Sequence, residues 1–437
     1  MSEKVSRYRE ISRKYGDPWI WGIYLTLIVF SIVESYSASS RDVPKMGVYE
    51  PIIRQVVFLA MGAVCVIGLS RINYNNRMLL LVLIPLLWIF TVVSLVYVMF
   101  FGEVINNAQR AFTIPGIGLT VQPAELAKLS AVTALAYIMA KNQQDRDVSV
   151  KGLVLSTVVV AVFGALMYQS GLTNTLLLMC ISGSMFLIGG ARIKKLVILA
   201  IVYGVVVGAF YLWKVRQENM RDLANKEVVA NDSKKSDVDR TQMRKVRIID
   251  WWNHRNTLIH DSVTSDNSQE MFSRMAQAHG GAAGVGVGNS RECSRLPLAF
   301  SDYIFSIIIE ETGLIGGVFL LILYLWLLSR AAMIARRCHR VLPALLIIGM
   351  AAMITFQALF HMAINTGVFP VSGQPLPLIS KGGTSILVTS VAFGVMLSVS
   401  RTISNITNKK NKDEDINLPS GLDAENPTEM PVKNEWK

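Results

Sequence analysis

Ten runs of apolar residues, each about long enough to cross a bilayer, constrain the fold of this chain more than any other feature. They lie at residues 18–37, 53–70, 78–101, 122–140, 152–169, 173–190, 196–213, 303–328, 343–366 and 386–399. Hydrophobic residues make up 52% of the chain and charged residues 17%, a balance that excludes an ordinary soluble enzyme. Only helices and closed barrels satisfy every backbone group inside a membrane. The sequence therefore predicts an all-α integral membrane protein, a polytopic bundle of about ten transmembrane helices.

Lysine and arginine are concentrated in every second loop between these runs. They cluster near residues 7–14, 71–77, 141–151, 192–195, 330–340 and 409–412. Because short basic loops stay on the cytoplasmic side, the pattern predicts that both termini are cytoplasmic. The net charge of +12 is therefore mostly a topology signal, and no single soluble segment carries it as a stripe for nucleic acid.

The same pattern predicts five segments. A cytoplasmic N-terminal tail covers 1–17, helices one to seven cover 18–213, a large extracytoplasmic loop covers 214–301, helices eight to ten cover 302–404, and a disordered cytoplasmic tail covers 405–437. The four cysteines offer no disulfide framework and no metal-ligand spacing, so the sequence fixes no metal site.

The eighth run carries three acids, in the stretch SDYIFSIIIEETGLIGG. An ionised carboxylate near mid-membrane costs at least roughly 3 kcal/mol, so it is kept only with a partner or a task. Asp302 stands at the mouth of the span, where it can meet both water and a lipid-borne substrate, and it is the candidate for chemistry. Glu310 is roughly 12 Å further along a helix axis. We therefore predict that Glu310 and Glu311 belong to a buried polar interior.

The outer loop before the fourth run ends in QRAFTIPGIGLTVQPAELAKL. Gln122, Glu125 and Lys128 follow one another at spacings of three, so they share one helix face. This spacing supports either a structural ion pair that enters the membrane edge as a unit or an anion site. In the second interpretation Arg110 and Lys128 hold an anionic headgroup, with the guanidinium forked onto a phosphate.

A polar stripe marks the ninth run, where Gln357, His361 and Asn365 recur at intervals of four. Such a stripe points into a membrane bundle and favours hydrogen bonds between helices. The following stretch, FPVSGQPLPLISKGGTS, is too rich in proline and glycine for a regular helix. Its Lys381 is predicted to be a further cation on the outer side of the bundle.

Glycines crowd the end of the long loop, in GGAAGVGVGNS. Neither a preceding strand nor the Lys-Ser/Thr ending of a nucleotide-binding loop is present. The stretch therefore indicates a flexible or close-packed re-entrant turn.

Four motifs in this order, QRAFTIPG with QPAELAKL, GGAAGVGVGNS, SDYIFSIIIEETGLIGG and PVSGQPLPLISKGGTS, resemble the SEDS family of bacterial cell-wall polymerases. The resemblance covers nearly the whole membrane domain and is closer to the division branch than to the elongation branch. Three places depart from the family pattern. PLAFSD stands where the family has PEAHTD, which removes a Glu and a His just before Asp302. SGLTN stands where the family has PDLGT, so Gly171 replaces an acid, and Lys381 replaces a tyrosine.

The resemblance implies a peptidoglycan glycosyltransferase that polymerises lipid II at the outer face of the bacterial cytoplasmic membrane, for septal wall synthesis. It implies that Asp302 is the essential carboxylate, taking a proton from the acceptor sugar's 4-hydroxyl. The residues that would bind substrate are Arg110, Gln122, Glu125, Lys128, Ser380 and Lys381. The α-linked donor and β-linked polymer imply an inverting displacement at the anomeric carbon.

The resemblance also implies partners: lipid II as substrate, a class B penicillin-binding protein as transpeptidase, and other membrane proteins of the divisome. A divalent cation, Mg²⁺ or Mn²⁺, is compatible with this chemistry. Two alternatives remain open from the residues: a flippase or transporter of the same lipid, and a scaffold without chemistry. An elongation-type polymerase of the same family is a third alternative.

Overall fold

The computed structural model describes residues 2–38, 50–72, 82–105, 108–114, 119–144, 147–198, 267–296 and 299–406, together with residues 201, 216, 249, 251 and 252. Its helices are α1 Ser2–Tyr15, α2 Pro18–Ala38, α3 Glu50–Arg71, α4 Ile84–Phe101, α5 Pro123–Lys141, α6 Val150–Ser170, α7 Leu172–Ile188, α8 Ser268–Gly280, α9 Ile304–Ala335, α10 Val341–Asn365 and α11 Gly383–Ile406. The strands are β1 Glu103–Ile105, β2 Ala108–Ile114, β3 Leu119–Val121, β4 Gln143–Gln144 and β5 Asp147–Val148.

Seven described helices, α2, α3, α4, α6, α9, α10 and α11, are long and apolar enough to cross a membrane. They coincide with seven of the ten predicted runs. The fourth run forms α5, which carries charges, and the sixth forms α7, a shorter apolar helix. Most of the seventh run, the N-terminal end of the third, and the segments at 202–215, 217–248 and 407–437 lie outside the described residues. The predicted helical, multi-pass membrane fold is confirmed.

Two helices form the centre of the bundle. Helix α10 is 94% buried inside the protein along its most apolar stretch, and nearly every residue of α5 is buried. Both are surrounded because α10 packs against α5, α7, α9 and α11. By contrast α3 and α4 are about 22% buried and present exposed side chains such as Val64 and Phe100, as lipid-facing helices do.

One end of the bundle is tied together by polar contacts. Arg330, near the end of α9, pairs with Asp17 at the start of α2, with Nη2 and Oδ2 2.6 Å apart. Burial and the charge of Asp17 raise the pKa of Tyr8 to about 12, so its phenol keeps its proton and donates to Asp17 at 2.9 Å. Arg401 of α11 donates to the carbonyl of Arg71 at 2.6 Å. The ends of α2, α3, α9 and α11 therefore lie on one face, as an alternating topology requires.

A small antiparallel sheet, which the sequence did not predict, leads into α5. Strands β1, β2 and β3 pair in that order, with Phe112 opposite Val121. Arg110 lies on β2, although its side chain is outside the described part. Pro123 then begins α5, where its missing N–H leaves no bond unmade. The sheet carries the chain from the end of α4 to the charged first turns of α5.

Helix α9 is not one continuous helix, as the eighth apolar run suggested. It breaks at Gly313, where φ is 73° and ψ is −178°. The glycine-rich turn at 281–288 supplies bonds at this break, since Val285 N donates to Glu310 O and Gly286 N to Glu311 O, both at 2.9 Å. Residues 304–312 therefore form a short outer half whose far end is capped by backbone from the loop.

The close contact between the turn at 281–288 and the break in α9 requires a glycine in each of the two segments. A Cβ on Gly284 would lie 2.2 Å from the carbonyl oxygen of Glu311, and one on Gly313 would lie 2.2 Å from that of Ala282. Both glycines also have positive φ, a conformation that other residues adopt at a cost. Of the two interpretations of the glycine stretch, the structure shows the close-packed turn.

Candidate functional site

Asp302 lies in the turn directly before α9, and it is half-buried. Its backbone carbonyl accepts a hydrogen bond of 3.0 Å from Nδ2 of Asn365, the last residue of α10. The N-terminus of a helix carries partial positive charge, which favours a carboxylate there. The C-terminal end of α10 thus holds the turn that carries Asp302 at the N-terminus of α9. A fixed position of this kind is what a reactive carboxylate requires.

Asn365 is the point where three helices meet beside Asp302. Its Oδ1 accepts bonds from the backbone N and the Oγ of Ser306 on α9, at 3.3 and 3.0 Å. Its backbone carbonyl accepts bonds from Gln277 Nε2 at 2.7 Å and from Ser273 Oγ at 3.2 Å, both on α8. Helices α8, α9 and α10 are therefore fixed relative to one another at the base of the acid's turn.

This geometry predicts the effect of Asn365→Ala. Without the amide, the Asp302 peptide loses its donor and Ser306 loses its acceptor, so the turn that carries Asp302 is no longer held against α10. A misplacement of about 1 Å costs on the order of 100-fold in rate. Turnover in a glycan polymerisation assay is expected to fall about 10- to 100-fold, with little change in the KM for the lipid-linked substrate.

The matched control is Asn289→Ala, which removes an exposed asparagine amide bonded only locally, to Val285 O at 3.2 Å. This variant should polymerise at the wild-type rate. Equal losses in both variants would contradict a specific positioning role for Asn365.

The proline-rich segment at 370–382 also holds the acid's turn. Ser380 is buried, and its Oγ donates to Ser301 O at 2.8 Å and accepts from Leu376 N at 2.7 Å. Lys381 N donates to Phe300 O at 3.0 Å, and the Lys381 ammonium lies over the Phe300 ring, 4.2 Å from its centre. The structure therefore brings the predicted residues Ser380 and Lys381 to the backbone on which Asp302 stands.

The polar stripe of α10 also makes hydrogen bonds to the backbone of the proline-rich segment at 370–382. His361 Nδ1 lies 2.6 Å from Gln374 O and acts as the donor there, which leaves Nε2 as the acceptor for Asn365 Nδ2 at 3.3 Å. Gln357 Nε2 donates to Pro375 O at 3.1 Å. The predicted inward-facing hydrogen bonds are present, and they connect α10 to the non-helical backbone.

Lys128 is fully buried and its ammonium has two partners at 2.7 Å, Oε1 of Glu125 and Oε1 of Gln357. Gln357 Nε2 closes the cluster with Oε2 of Glu125 at 3.4 Å. Of the two interpretations left open by the spacing, the structural ion pair is the arrangement seen. Contact between Lys128 and a headgroup would require this cluster to open.

The ion pair and the acid lie at two ends of one stripe. Gln357 and Asn365 are two helical turns apart, roughly 12 Å along α10. Gln122, half-buried at the residue before α5, makes no capping bond through its side chain.

Glu310 and Glu311 are buried, as predicted for a polar interior. Oε1 of Glu310 accepts from the backbone N–H groups of Arg291 and Glu292, at 3.0 and 3.4 Å, and its Oε2 accepts from Ser290 Oγ. These bonds fasten the residues after the glycine turn to the broken part of α9. Glu310 therefore has a structural task away from the acid's turn.

Sequence reasoning did not identify the α8 contribution. Gln277 donates to Ser306 Oγ at 2.9 Å as well as to Asn365, and Ser273 bonds Ser306 Oγ at 2.7 Å. The amphipathic character of α8 was the one available signal, and it does not single out these residues. Within the described residues, no group of three or more His, Cys, Asp or Glu is placed to hold a metal ion.

These features define a multi-pass helical membrane protein with a fixed acid at a helix mouth and a polar stripe leading inward. The family model described as "Cell cycle protein", for FtsW, RodA and SpoVE, matches residues 18–405. The chain belongs to this family.

Curated relatives agree with this assignment. The probable peptidoglycan glycosyltransferase FtsW of Bacillus subtilis is 27% identical over 420 residues, covering 93% of this chain and 95% of that protein. FtsW of Geobacter metallireducens is 29% identical over 381 residues, covering 86% and 92%. The stage V sporulation protein E of Bacillus subtilis is 27% identical over 389 residues, covering 87% and 95%.

Solved structures share the fold. A peptidoglycan synthase complex that coordinates polymerization and crosslinking matches with a TM-score of 0.64 and 23% identity, over 89% of this chain and 98% of the other. The rod shape determining protein RodA of Thermus thermophilus matches with a TM-score of 0.58 and 23% identity, over 89% and 97%. The arrangement of helices described above is therefore the one seen in these proteins.

Proposed function

We propose that this protein is a peptidoglycan glycosyltransferase that polymerises lipid II into glycan strands for septal wall synthesis. Membership of the FtsW, RodA and SpoVE family and the names of the FtsW relatives support the activity and the division role. The observation that carries the proposal is the fixing of Asp302 at the mouth of α9 by Asn365 and Ser380.

Asp302 is the base in this proposal. Transfer of a sugar from a lipid pyrophosphate requires removal of a proton from the attacking hydroxyl. The carboxylate takes that proton from the 4-hydroxyl of the acceptor sugar as the oxygen attacks the anomeric carbon of the growing chain. Because the donor linkage is α and the product linkage β, the displacement inverts in one step and leaves no covalent sugar on the enzyme.

The leaving pyrophosphate needs positive charge. Arg110 and Lys381 supply it, with Lys128 contributing when its cluster with Glu125 opens. Gln122 and Ser380 complete the polar surroundings of the substrate. A divalent cation, Mg²⁺ or Mn²⁺, would share the charge of the pyrophosphate when bound, although the described residues offer no preformed cluster of ligands for it.

The protein is proposed to lie in the bacterial cytoplasmic membrane with both termini in the cytoplasm. In this orientation the basic ends of α3, α9 and α11 face the cytoplasm. Asp302 then faces the outer surface of the membrane, where lipid II is consumed. A solved relative belongs to a complex that couples polymerization with crosslinking. By analogy, the partners are a class B penicillin-binding protein transpeptidase and other membrane proteins of the divisome.

The test uses the full chain in lipid nanodiscs with its transpeptidase partner and fluorescent lipid II. We expect a ladder of glycan products, because both donor and acceptor reach Asp302 from the bilayer. The transpeptidase alone is the control and should give no ladder. Labelled lipid II that changes leaflet in vesicles without being lengthened would contradict the proposal and support the flippase alternative.

A further inference from the structure

Glu34, on the membrane-spanning helix α2, is a buried acid to which the proposed reaction assigns no role. Glu34 is 1% exposed, and within the described part of the chain neither of its carboxyl oxygens has a hydrogen-bond partner. A buried carboxylate without donors is among the most costly groups in a protein. Glu34 therefore needs positive charge or a proton from some source.

Another acid acts on Glu34 from the neighbouring helix α9. Ser37, one turn further along α2, donates through Oγ to Oε1 of Glu311 on α9, and Glu311 is close enough for its charge to act on Glu34. Glu311 is 1% exposed, and its Oε2 also lacks a partner. Between α2 and the break in α9, three buried carboxyl oxygens thus have no donor from the described residues.

The surrounding groups do not supply a cation within the described part of the chain. Cys293 donates its Sγ–H to Ser37 O at 3.6 Å, and on α3 Arg54 is exposed while Gln55 donates to Ser31 at 2.8 Å. The basic side chains near Glu310 already have acidic partners. His279 and Arg295 lie 3.5 and 3.4 Å from Oε1 of Glu292, and His279 lies 3.8 Å from Oε1 of Glu310.

The two acids differ in their donors. Glu311 accepts a hydrogen bond from Ser37 Oγ through its Oε1, so one of its two carboxyl oxygens has a donor. Glu34 has no donor among the residues that the structure describes. A single proton on Glu34 would satisfy both acids at once, because its O–H could donate to Oε2 of Glu311.

We propose that Glu34 and Glu311 form a proton-binding pair, in which a neutral Glu34 donates to the Glu311 carboxylate. The bond joins the outer end of α2 to the broken segment of α9, next to the glycine turn. The pair acts in holding the helices together and takes no part in sugar transfer.

Infrared spectroscopy of the full chain in nanodiscs tests this directly. The wild type at neutral pH should show the carbonyl stretch of a protonated carboxylic acid, and Glu34→Gln should remove that band. Glu10→Gln, which alters an exposed acid on α1, is the matched control and should keep it. A wild type without the band would overturn the proposal, because an ionised Glu34 has no proton to donate to Glu311.

Thermal unfolding gives a second, independent readout. Glutamine keeps a neutral donor at position 34, so Glu34→Gln should melt within about 1 °C of the wild type, whereas Glu34→Ala should melt about 3 °C or more lower. Equal destabilisation by the two substitutions would refute a neutral donor. Stabilisation of the wild type by added Mg²⁺, Ca²⁺ or Na⁺ that is lost in Glu34→Gln would replace the proton by a metal ion.

Discussion

Asp302→Asn is expected to lower the rate of glycan polymerisation by roughly 1,000-fold or more. General base catalysis contributes about 100- to 10,000-fold, and an amide of the same shape cannot accept the proton of the attacking hydroxyl. The fold should tolerate the change, because Asp302 is half-buried and its turn is held through backbone atoms, by Asn365 and by Lys381. The measurement is the initial rate of product formation from lipid II, with partner and substrate held constant.

The control removes an acid from elsewhere on the protein. Asp147, on β5, pairs with Lys195 at 2.8 Å and Arg192 at 3.0 Å, away from the acid's turn. Asp147→Asn should leave the rate within about 2-fold, since this partly exposed ion pair lies outside the acid's turn and such pairs contribute about 1 kcal/mol or less. If Asp302→Asn polymerised as fast as this control, the assignment of the base would fail even though the family assignment stands.

Local patterns were sufficient to predict most spans and the position of the acid. The apolar runs are long, and polar residues at helix ends interrupt them clearly, so the start of α9 beside Asp302 follows from the sequence. The stripe of Gln357, His361 and Asn365 was also correctly predicted to face inward, because its spacing of four defines one helix face.

The break in α9 was not predictable in the same way. A single glycine within an apolar run is compatible with a continuous helix. Gly313 leaves the helical conformation because the turn at 281–288 packs against it, and that contact joins segments far apart in sequence. The same reason applies to Gln277 and Ser273, whose roles depend on where α8 docks and not on their neighbours in the chain.

The spacing of Glu125 and Lys128 left two interpretations, and stability measurements can separate them. Glu125→Gln removes the countercharge from an ammonium that is 0% exposed, which typically costs about 3–5 kcal/mol. The apparent melting temperature should fall by about 5 °C or more. A comparison is Glu270→Gln, whose partner Arg274 lies 2.7 Å away in a partly exposed pair. That substitution should change the melting temperature by about 2 °C or less.

The double substitution Glu125→Gln with Lys128→Met then distinguishes structure from substrate binding. It removes both charges together, so stability should return to near the wild-type value, as replacement of buried ion pairs by neutral residues often allows. Polymerisation should remain at least about 10-fold below wild type. The double variant lacks the ammonium that is proposed to contact a phosphate oxygen once the cluster with Glu125 and Gln357 opens. Recovery of activity along with stability would instead assign Lys128 a purely structural role.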